Sequence, residues 1–254
     1  MSMVPQTGFF RYWGKAGEAN AAHLLVFHSL DVAAVGLTLA QCRPHWVDAF
    51  AATSQVDRSG IEGSLAFLLA LHDLGKFGHG FQSLRPDIAT GLGLNLQRLA
   101  NKPRHDSLGY QLWREFAHAR SEWHLLESVP NVVDGRGVTL NIKQAKGIID
   151  PFIAAVTGHH GRPPEAGDGQ GALGQQFQTR RPTGAWKDAQ EYVIAARSII
   201  RPAALRLSER VVEPDESTFA RASWWLAGFA ILCDWIGSNS EWFPYHSGGA
   251  IDLA

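Results

Sequence analysis

An apolar run that ends on two ionisable side chains constrains this chain more than any other feature. Leu68-Leu69-Ala70-Leu71 leads directly into His72-Asp73, and Leu74-Gly75-Lys76-Phe77 follows. Histidine and aspartate seldom enter the buried face of a helix without a partner, because an unpaired ionised carboxylate in an apolar setting is costly. A divalent metal would supply that partner, taking nitrogen from imidazole and oxygen from carboxylate. Gly75 is expected to end the helix so that the pair faces a cavity. An isolated His-Asp pair is equally well explained as a hydrogen-bonded core pair, and a second one, His105-Asp106, stands further along. The choice between them rests on the other residues.

The 254 residues are 45% hydrophobic and 19% charged, which permits a sizeable core in one domain over 1–254. Net charge is −1, so any nucleic-acid binding must come from a local patch. Cys42 and Cys233 lie in or beside apolar segments, so a disulfide framework is not expected, and a reducing, cytoplasmic compartment is. Met1 to Lys15 lacks the apolar stretch of a signal peptide. No run approaches the roughly 18 apolar residues of a membrane span. Eleven histidines are the compositional oddity.

Taken in order, residues 1–20 read as an irregular arm, aromatic and broken by glycine. Helical spacing runs from Ala21 to Gln41, with Leu24, His28, Val32 and Val35 on one stripe. Alone, His28 reads as a core histidine bonded to a carbonyl. Pro44 to Ser59 reads as a connection, Ile61 to Gly75 as a second helix, and Phe77 to Lys102 as loops with a short helix. A third helix is expected from His105 to Trp123. Asn131 to Asn141 has a turn between two β-prone pieces, so a small hairpin is expected near 131–141. Lys143 to Thr157 is a fourth helix. His159-His160 follow its end, free of the 100° separation that a helix imposes on neighbours.

Residues 162–185 read as a mobile surface loop, and Trp186 to Val211 as a helix. Ser217 or Thr218 is expected to cap the last helix, which runs to Gly237. Asp234 is the one charge in its apolar run and requires a counter-charge, a metal or a proton. The aromatic residues between Trp186 and Trp242 are assigned to the core. His23 lies off the His28 stripe, and His45, His118, His124 and His246 sit in polar or terminal settings. The fold class is all-α, with one small hairpin.

His28, His72, Asp73, His105, His159, His160 and Asp234 each lie in or at the end of an apolar helix. Five imidazoles and two carboxylates are too many for one tetrahedral metal. They suit two metals that share a bridging carboxylate. Nitrogen and oxygen ligands without thiolate point to iron, manganese, nickel or cobalt, with zinc also compatible, rather than to magnesium or calcium.

The order H…HD…H…HH…D resembles the HD superfamily of metal-dependent phosphohydrolases. Further stretches narrow it: Phe27-His28-Ser29-Leu30-Asp31, His72-Asp73-Leu74-Gly75-Lys76-Phe77 with Phe81-Gln82, Gly158-His159-His160-Gly161, and Asp234-Trp235-Ile236-Gly237-Ser238-Asn239. These resemble the HD nuclease domain of the helicase-nuclease effector of type I CRISPR systems. Tyr12-Trp13-Gly14-Lys15 and Trp242-Phe243-Pro244-Tyr245 resemble its subtype I-E form, so the likeness spans about Tyr12 to Tyr245.

The resemblance implies that His72, Asp73 and Asp234, helped by His28, hold one metal. It implies that His105, His159 and His160 hold the second and that Asp73 bridges. Lys76 would face the phosphate as a compact point charge, so Asp73 and Lys76 are the catalytic candidates. The implied reaction is hydrolysis of single-stranded DNA by a hydroxide activated between two cations. An RNA-guided surveillance complex would choose the site. The ligating histidines must be neutral, so activity is expected to fail in acid. Arg98, Lys102, Arg104, Arg180 and Arg181 are candidates to track phosphates, with exposed aromatics to stack on bases. Ser238 and His79 are candidates to support the ligands.

The family effector joins this domain to a helicase, whereas this chain ends at Ala254. No G-x-x-x-x-G-K-[ST] loop is present, so no ATPase activity is expected, and a helicase module would act in cis or in trans. Two alternatives stand beside this reading. One is an HD-family nucleotide phosphohydrolase. The other is a non-catalytic interaction module with a structural metal site.

Overall fold

Helix α1 (Leu25–Cys42) runs through the middle of the fold, packed along α3 (Ile61–Ala70) and α10 (Glu216–Gly237). The computed structural model describes residues 8–18, 21–96, 99, 103–118, 132–164, 171–177, 184–209, 211 and 215–246. α10 also lies against α2 (Pro44–Ser54) and α7 (Ile142–Thr157), and α7 lies against α6 (His105–His118). The remaining helices are α4 (His79–Gln82), α5 (Pro86–Gly91), α8 (Leu173–Phe177) and α9 (Ala185–Ile200). Two small sheets accompany them. β1 (Trp13–Ala16) pairs antiparallel with β2 (Ala22–Leu24), and β3 (Val132–Val133) pairs parallel with β4 (Leu205–Arg206). The architecture is the mainly helical one that the apolar spacing predicts.

Apolar burial joins these elements in one cluster that runs from Tyr12 to Cys233. Phe152 of α7 sits at its middle, fully buried, with ring centroids 5.5 Å from Phe50 of α2 and 6.1 Å from Phe219 of α10. α7 starts on a reciprocal cap: the Asn141 side chain accepts from Gln144 N–H at 3.0 Å, and the Gln144 side chain accepts from Asn141 N–H at 3.2 Å. α10 is capped by Asp215, whose side chain accepts from Ser217 N–H at 3.0 Å. The expected cap at Ser217 or Thr218 is therefore corrected to Asp215.

Several boundaries differ from the sequence reading, each for a local reason. The supposed arm carries a 3-10 turn (Gly8–Arg11) and β1, because Tyr12 and Trp13 are buried and Tyr12 Oη donates to Asp188 at 2.7 Å. The supposed connection after Pro44 is α2, with proline at its first turn and Val47, Phe50 and Ser54 on the buried face. α9 stops at Ile200 because Arg201 turns left-handed (φ 51°) and Pro202 follows. The hairpin reversal near 131–141 is present, with Leu140 N–H bonded to Val132 O at 2.8 Å, but the ladder that β3 joins runs parallel to β4.

The described part of 162–185 is not a free loop. α8 buries Phe177 and Gln176, and Gln176 accepts from Gly80 N–H at 2.6 Å. α1 departs from the membrane expectation: at mean hydropathy 1.5 it is long and apolar enough to cross a bilayer. Half of it is buried inside the fold, as in a core helix. Cys42 and Cys233 are both free.

Phe152→Ala is expected to destabilise the protein by roughly 3–5 kcal/mol. The thermal midpoint should fall by about 10 °C, with the helical circular dichroism signal retained below it. A shift within experimental scatter in differential scanning calorimetry would show that this cluster does not carry the core.

Candidate metal centre

The helix that brings in His72 and Asp73 changes character just before them. α3 ends at Ala70, and the chain then tightens to three-residue hydrogen bonds: Leu71 N–H to Leu68 O, His72 N–H to Leu69 O and Lys76 N–H to Asp73 O. The expected helix end at Gly75 is therefore corrected to Ala70. In a 3-10 turn residues three apart eclipse. Asp73 and Lys76 do so here, with Lys76 Nζ 2.5 Å from Asp73 Oδ2. Gly75 has a different task. A Cβ there would lie 1.8 Å from the His105 carbonyl oxygen, so only glycine lets the start of α6 approach this turn.

Four other segments converge on Asp73. His28 comes from α1, Asp234 from α10 and His105 from the first residue of α6, while His159 and His160 follow α7. Asp73 Oδ2 lies 3.2 Å from Nε2 of both His28 and His72. Asp234 Oδ1 lies 3.3 Å from His28 Nε2 and 3.7 Å from His72 Nε2, and the two imidazole nitrogens are 3.3 Å apart. On the other side, Asp73 Oδ1 lies 3.4 Å from His105 Nε2 and 3.7 Å from His159 Nε2. His160 Nε2 is 3.0 Å from His105 Nε2. The structure thus brings together all seven residues singled out in the sequence.

These spacings fit metal ligation. Four ligands about 2.1 Å from one cation stand about 3.4 Å from one another. His28, His72 and Asp234 form one group whose ligand atoms lie within 4.8 Å of each other, and His105, His159 and His160 form another. His72, Asp73 and His159 make a third that links them. Asp73 Oδ1 and His159 Nε2 are buried and make no hydrogen bond, the condition in which a cation is the natural partner. The ring tautomers are set from behind: the Leu69 carbonyl accepts from His72 Nδ1 at 2.8 Å and the Val156 carbonyl from His159 Nδ1 at 3.0 Å. Both leave Nε2 facing the centre.

Electrostatics follow from burial and charge. Burial alone would raise the Asp73 carboxyl, but Lys76 and His72 hold it well below the usual carboxylate range. Asp234 is likewise pushed up by burial and held well below that range by His28, His72 and Lys15. Burial lowers His28, and it lowers His159 to about 3. His72 goes the other way: burial opposes its charge, yet Asp73 and Asp234 raise it to about 9. Burial also lowers the Lys76 ammonium, against the pull of Asp73.

The supporting residues divide. Ser238 Oγ donates to Asp234 Oδ1 at 2.9 Å. His79 is buried at the start of α4 and belongs to none of the three groups. Arg104 is ion-paired with Asp106 at the start of α6. Arg98, Lys102, Arg180 and Arg181 lie outside the described residues. His23 is buried, 2.7 Å from Asp31 and accepting from His246 N–H, away from the centre. His45 and His246 are exposed; His124 and the His118 side chain lie outside what is described. The aromatics between Trp186 and Trp242 are not all core, since Trp224 (73%), Trp235 (73%) and Trp242 (65%) are exposed.

Sequence reasoning missed two residues. Lys15 places Nζ 3.5 Å from Asp234 Oδ1. Gln82 accepts from Trp13 N–H at 3.2 Å and donates to Trp13 O and Lys76 O at 3.0 and 2.8 Å, fastening β1 to the turn. Both stand in the quoted motifs Tyr12-Trp13-Gly14-Lys15 and Phe81-Gln82, the only signal available for them.

His72 generates a pH prediction for protein stripped of metal. Unfolded histidine titrates near pH ~6.5, so the folded state holds this proton more tightly. The stabilisation is complete below pH ~6.5 and is lost as pH rises through about 9. Chelator-treated protein should therefore lose about 3 kcal/mol of stability across that window, read by denaturant melts. His72→Asn should flatten the profile, and an unchanged slope in that variant would assign the titration elsewhere.

Residues 13–243 match the family model described as Cas3, HD domain. The CRISPR-associated endonuclease/helicase Cas3 of Escherichia coli (strain K12) is 29% identical over 255 residues, covering 93% of this chain and 26% of that protein. The chain thus spans about a quarter of the length of this curated relative. The Thermus thermophilus cas3 HD domain, crystallised in the presence of Ni2+, superposes with a TM-score of 0.55 at 23% identity, covering 93% of this chain and 79% of that one. A chain of a CRISPR RNA-guided surveillance complex in a pre-nicking state gives a TM-score of 0.60 at 22% identity, covering 94% of this chain and 25% of that one. Both structures share the fold. With its His-Asp pair, adjacent histidines and late aspartate all inside the matched span, this chain belongs to the family of Cas3 HD domains, the metal-dependent phosphohydrolase domains of CRISPR systems.

Proposed function

We propose that this chain hydrolyses phosphodiester bonds of single-stranded DNA in CRISPR interference, using two divalent transition-metal ions. The position of Asp73 carries the reading: each of its oxygens faces a separate set of ligand atoms. In this reading His28, His72 and Asp234 would hold one ion and His105, His159 and His160 the other, with Asp73 shared between them. Such a pair, when bound, acidifies a water and offsets charge on the attacking and leaving oxygens of an in-line displacement.

The chain's own part is orientation and exclusion. The Leu69 and Val156 carbonyls aim two imidazoles, and Ser238 holds Asp234. Lys76 keeps Asp73 ionised where no water reaches it. His28, His72 and Asp73 close the inner side, while His105 and exposed His160 mark the open side on which a phosphate would arrive. Arg104 borders that side, and Arg98, Lys102, Arg180 and Arg181 complete the proposed phosphate-tracking set. The relative within a surveillance complex, and the helicase named in the E. coli relative, support two partners. These are an RNA-guided complex that selects the DNA and a helicase module that feeds it, both in the cytoplasm.

Elemental analysis of the purified chain, then Mn2+, Fe2+, Ni2+, Co2+ or Zn2+ returned separately with circular single-stranded DNA, tests the proposal. Wild type is expected to cleave with at least one of these ions. Asp73→Ala should lose cleavage and bound metal while keeping its helical circular dichroism. Phosphate release from mononucleotides with the DNA left intact would make the protein a nucleotide phosphohydrolase instead. Metal-loaded wild type inert on both substrates would leave an interaction module.

A further inference from the structure

Two lysines reach the centre, and they are differently placed. Lys76 is committed. Its ammonium sits 2.5 Å from Asp73 Oδ2, donates to the Gly14 carbonyl at 3.3 Å and lies 5.1 Å from the centre of the Phe81 ring. Its side chain is 5% exposed. To meet a phosphate it would have to abandon a buried carboxylate, which is strongly unfavourable.

Lys15 is not committed in this way. Its side chain is 25% exposed, and its ammonium stands 3.5 Å from Asp234 Oδ1, long for a charge-assisted hydrogen bond. Asp234 has other partners beside it. The same oxygen accepts from Ser238 Oγ at 2.9 Å and lies 3.3 Å from His28 Nε2. If Lys15 swings away, no buried charge is left unpaired. Its backbone, by contrast, is clamped. Gly14 packs so closely that a Cβ would fall 2.9 Å from Leu25 Cα, and Gln82 bonds both backbone groups of Trp13. A fixed base under a flexible four-carbon stem is the arrangement that lets an ammonium follow a ligand's charge.

We propose that Lys15, rather than Lys76, is the cation that contacts the substrate phosphate, leaving Asp234 as the phosphate arrives. Lys76 is then a positioning residue that holds Asp73 between the two ligand groups. This inference rests on the phosphodiesterase reading above. A cation aimed at a phosphoryl oxygen as its charge develops contributes through electrostatic stabilisation. It also adds one ionic contact to binding of the strand.

The test uses the full chain as wild type, Lys15→Ala, Lys15→Arg, and Lys187→Ala as a remote control. Three quantities are read: bound Mn2+ by elemental analysis, kcat/KM on single-stranded DNA with Mn2+, and the salt dependence of oligothymidylate binding in EDTA. Lys15→Ala is expected to keep the wild-type Mn2+ content and thermal midpoint while losing on the order of 10²-fold in kcat/KM. The slope of log K against log salt should shrink by about 0.7, one phosphate contact on a single strand. Lys15→Arg should regain most of both. Wild-type kinetics and slope in Lys15→Ala would overturn the proposal. So would a loss of activity that tracks lost Mn2+, which would make Lys15 a partner of Asp234 only. Should wild type itself fail to cleave DNA, the phosphodiesterase reading falls, and the salt slope in EDTA still reports separately on Lys15.

Discussion

An ionised carboxylate with no exposure to water, Asp73, is what the surrounding structure is arranged to tolerate. Taking such a charge out of water costs several kcal/mol unless opposite charge and hydrogen-bonding groups replace the solvent. Here an ammonium lies against one oxygen, and imidazoles from three other elements stand within 3.7 Å of the pair of oxygens. The C-terminal ends of α3, α7 and α10 and the first turns of α1 and α6 are held in one place by that requirement. A buried group of this kind is poor evidence for stability alone. With His159 Nε2 and Asp73 Oδ1 buried and making no hydrogen bond, it is good evidence for a ligand of positive charge.

The N-terminal strand has an unexpected share in this centre. Through Gln82, β1 is tied to the same 3-10 turn that carries Asp73, and through the Gly14 carbonyl it receives the Lys76 ammonium. Tyr12 and Arg11 anchor it from the other side on Asp188 of α9. The strand therefore couples the outer helix α9 to the polar interior, and it carries Lys15 to the edge of the site. Trp224, Trp235 and Trp242 remain on the surface, so the apolar character of the α10 sequence is only partly a core signal.

Much of the centre was legible because its side chains are of rare type in improbable company. Asp234 stood out as the lone charge in an apolar run, and His159-His160 as adjacent imidazoles just past a helix end. The helix carrying His28 was legible from spacing. Gln82 and Lys15 were not, because each acts across a long loop: Gln82 meets Trp13 and Lys15 meets Asp234, and no local periodicity marks either role. Pro44 was a start signal read as a break, although proline suits the first turn of a helix. Gly75 looked like a terminator, but its task is a close approach that only the partner backbone reveals.

By itself the sequence determined the helical class, the seven side chains that meet at the centre and the family, since these depend on residue type, spacing and order along one chain. The tertiary structure alone decided that Asp73 turns one oxygen to each group of side chains, and that Lys76 is buried against Asp73 while Lys15, 25% exposed, stands 3.5 Å from Asp234. It also decided which tryptophans reach solvent. Those outcomes depend on distances between segments remote in sequence, set by how α1, α3, α6, α7 and α10 pack, and packing is a property of surfaces in contact rather than of any single stretch.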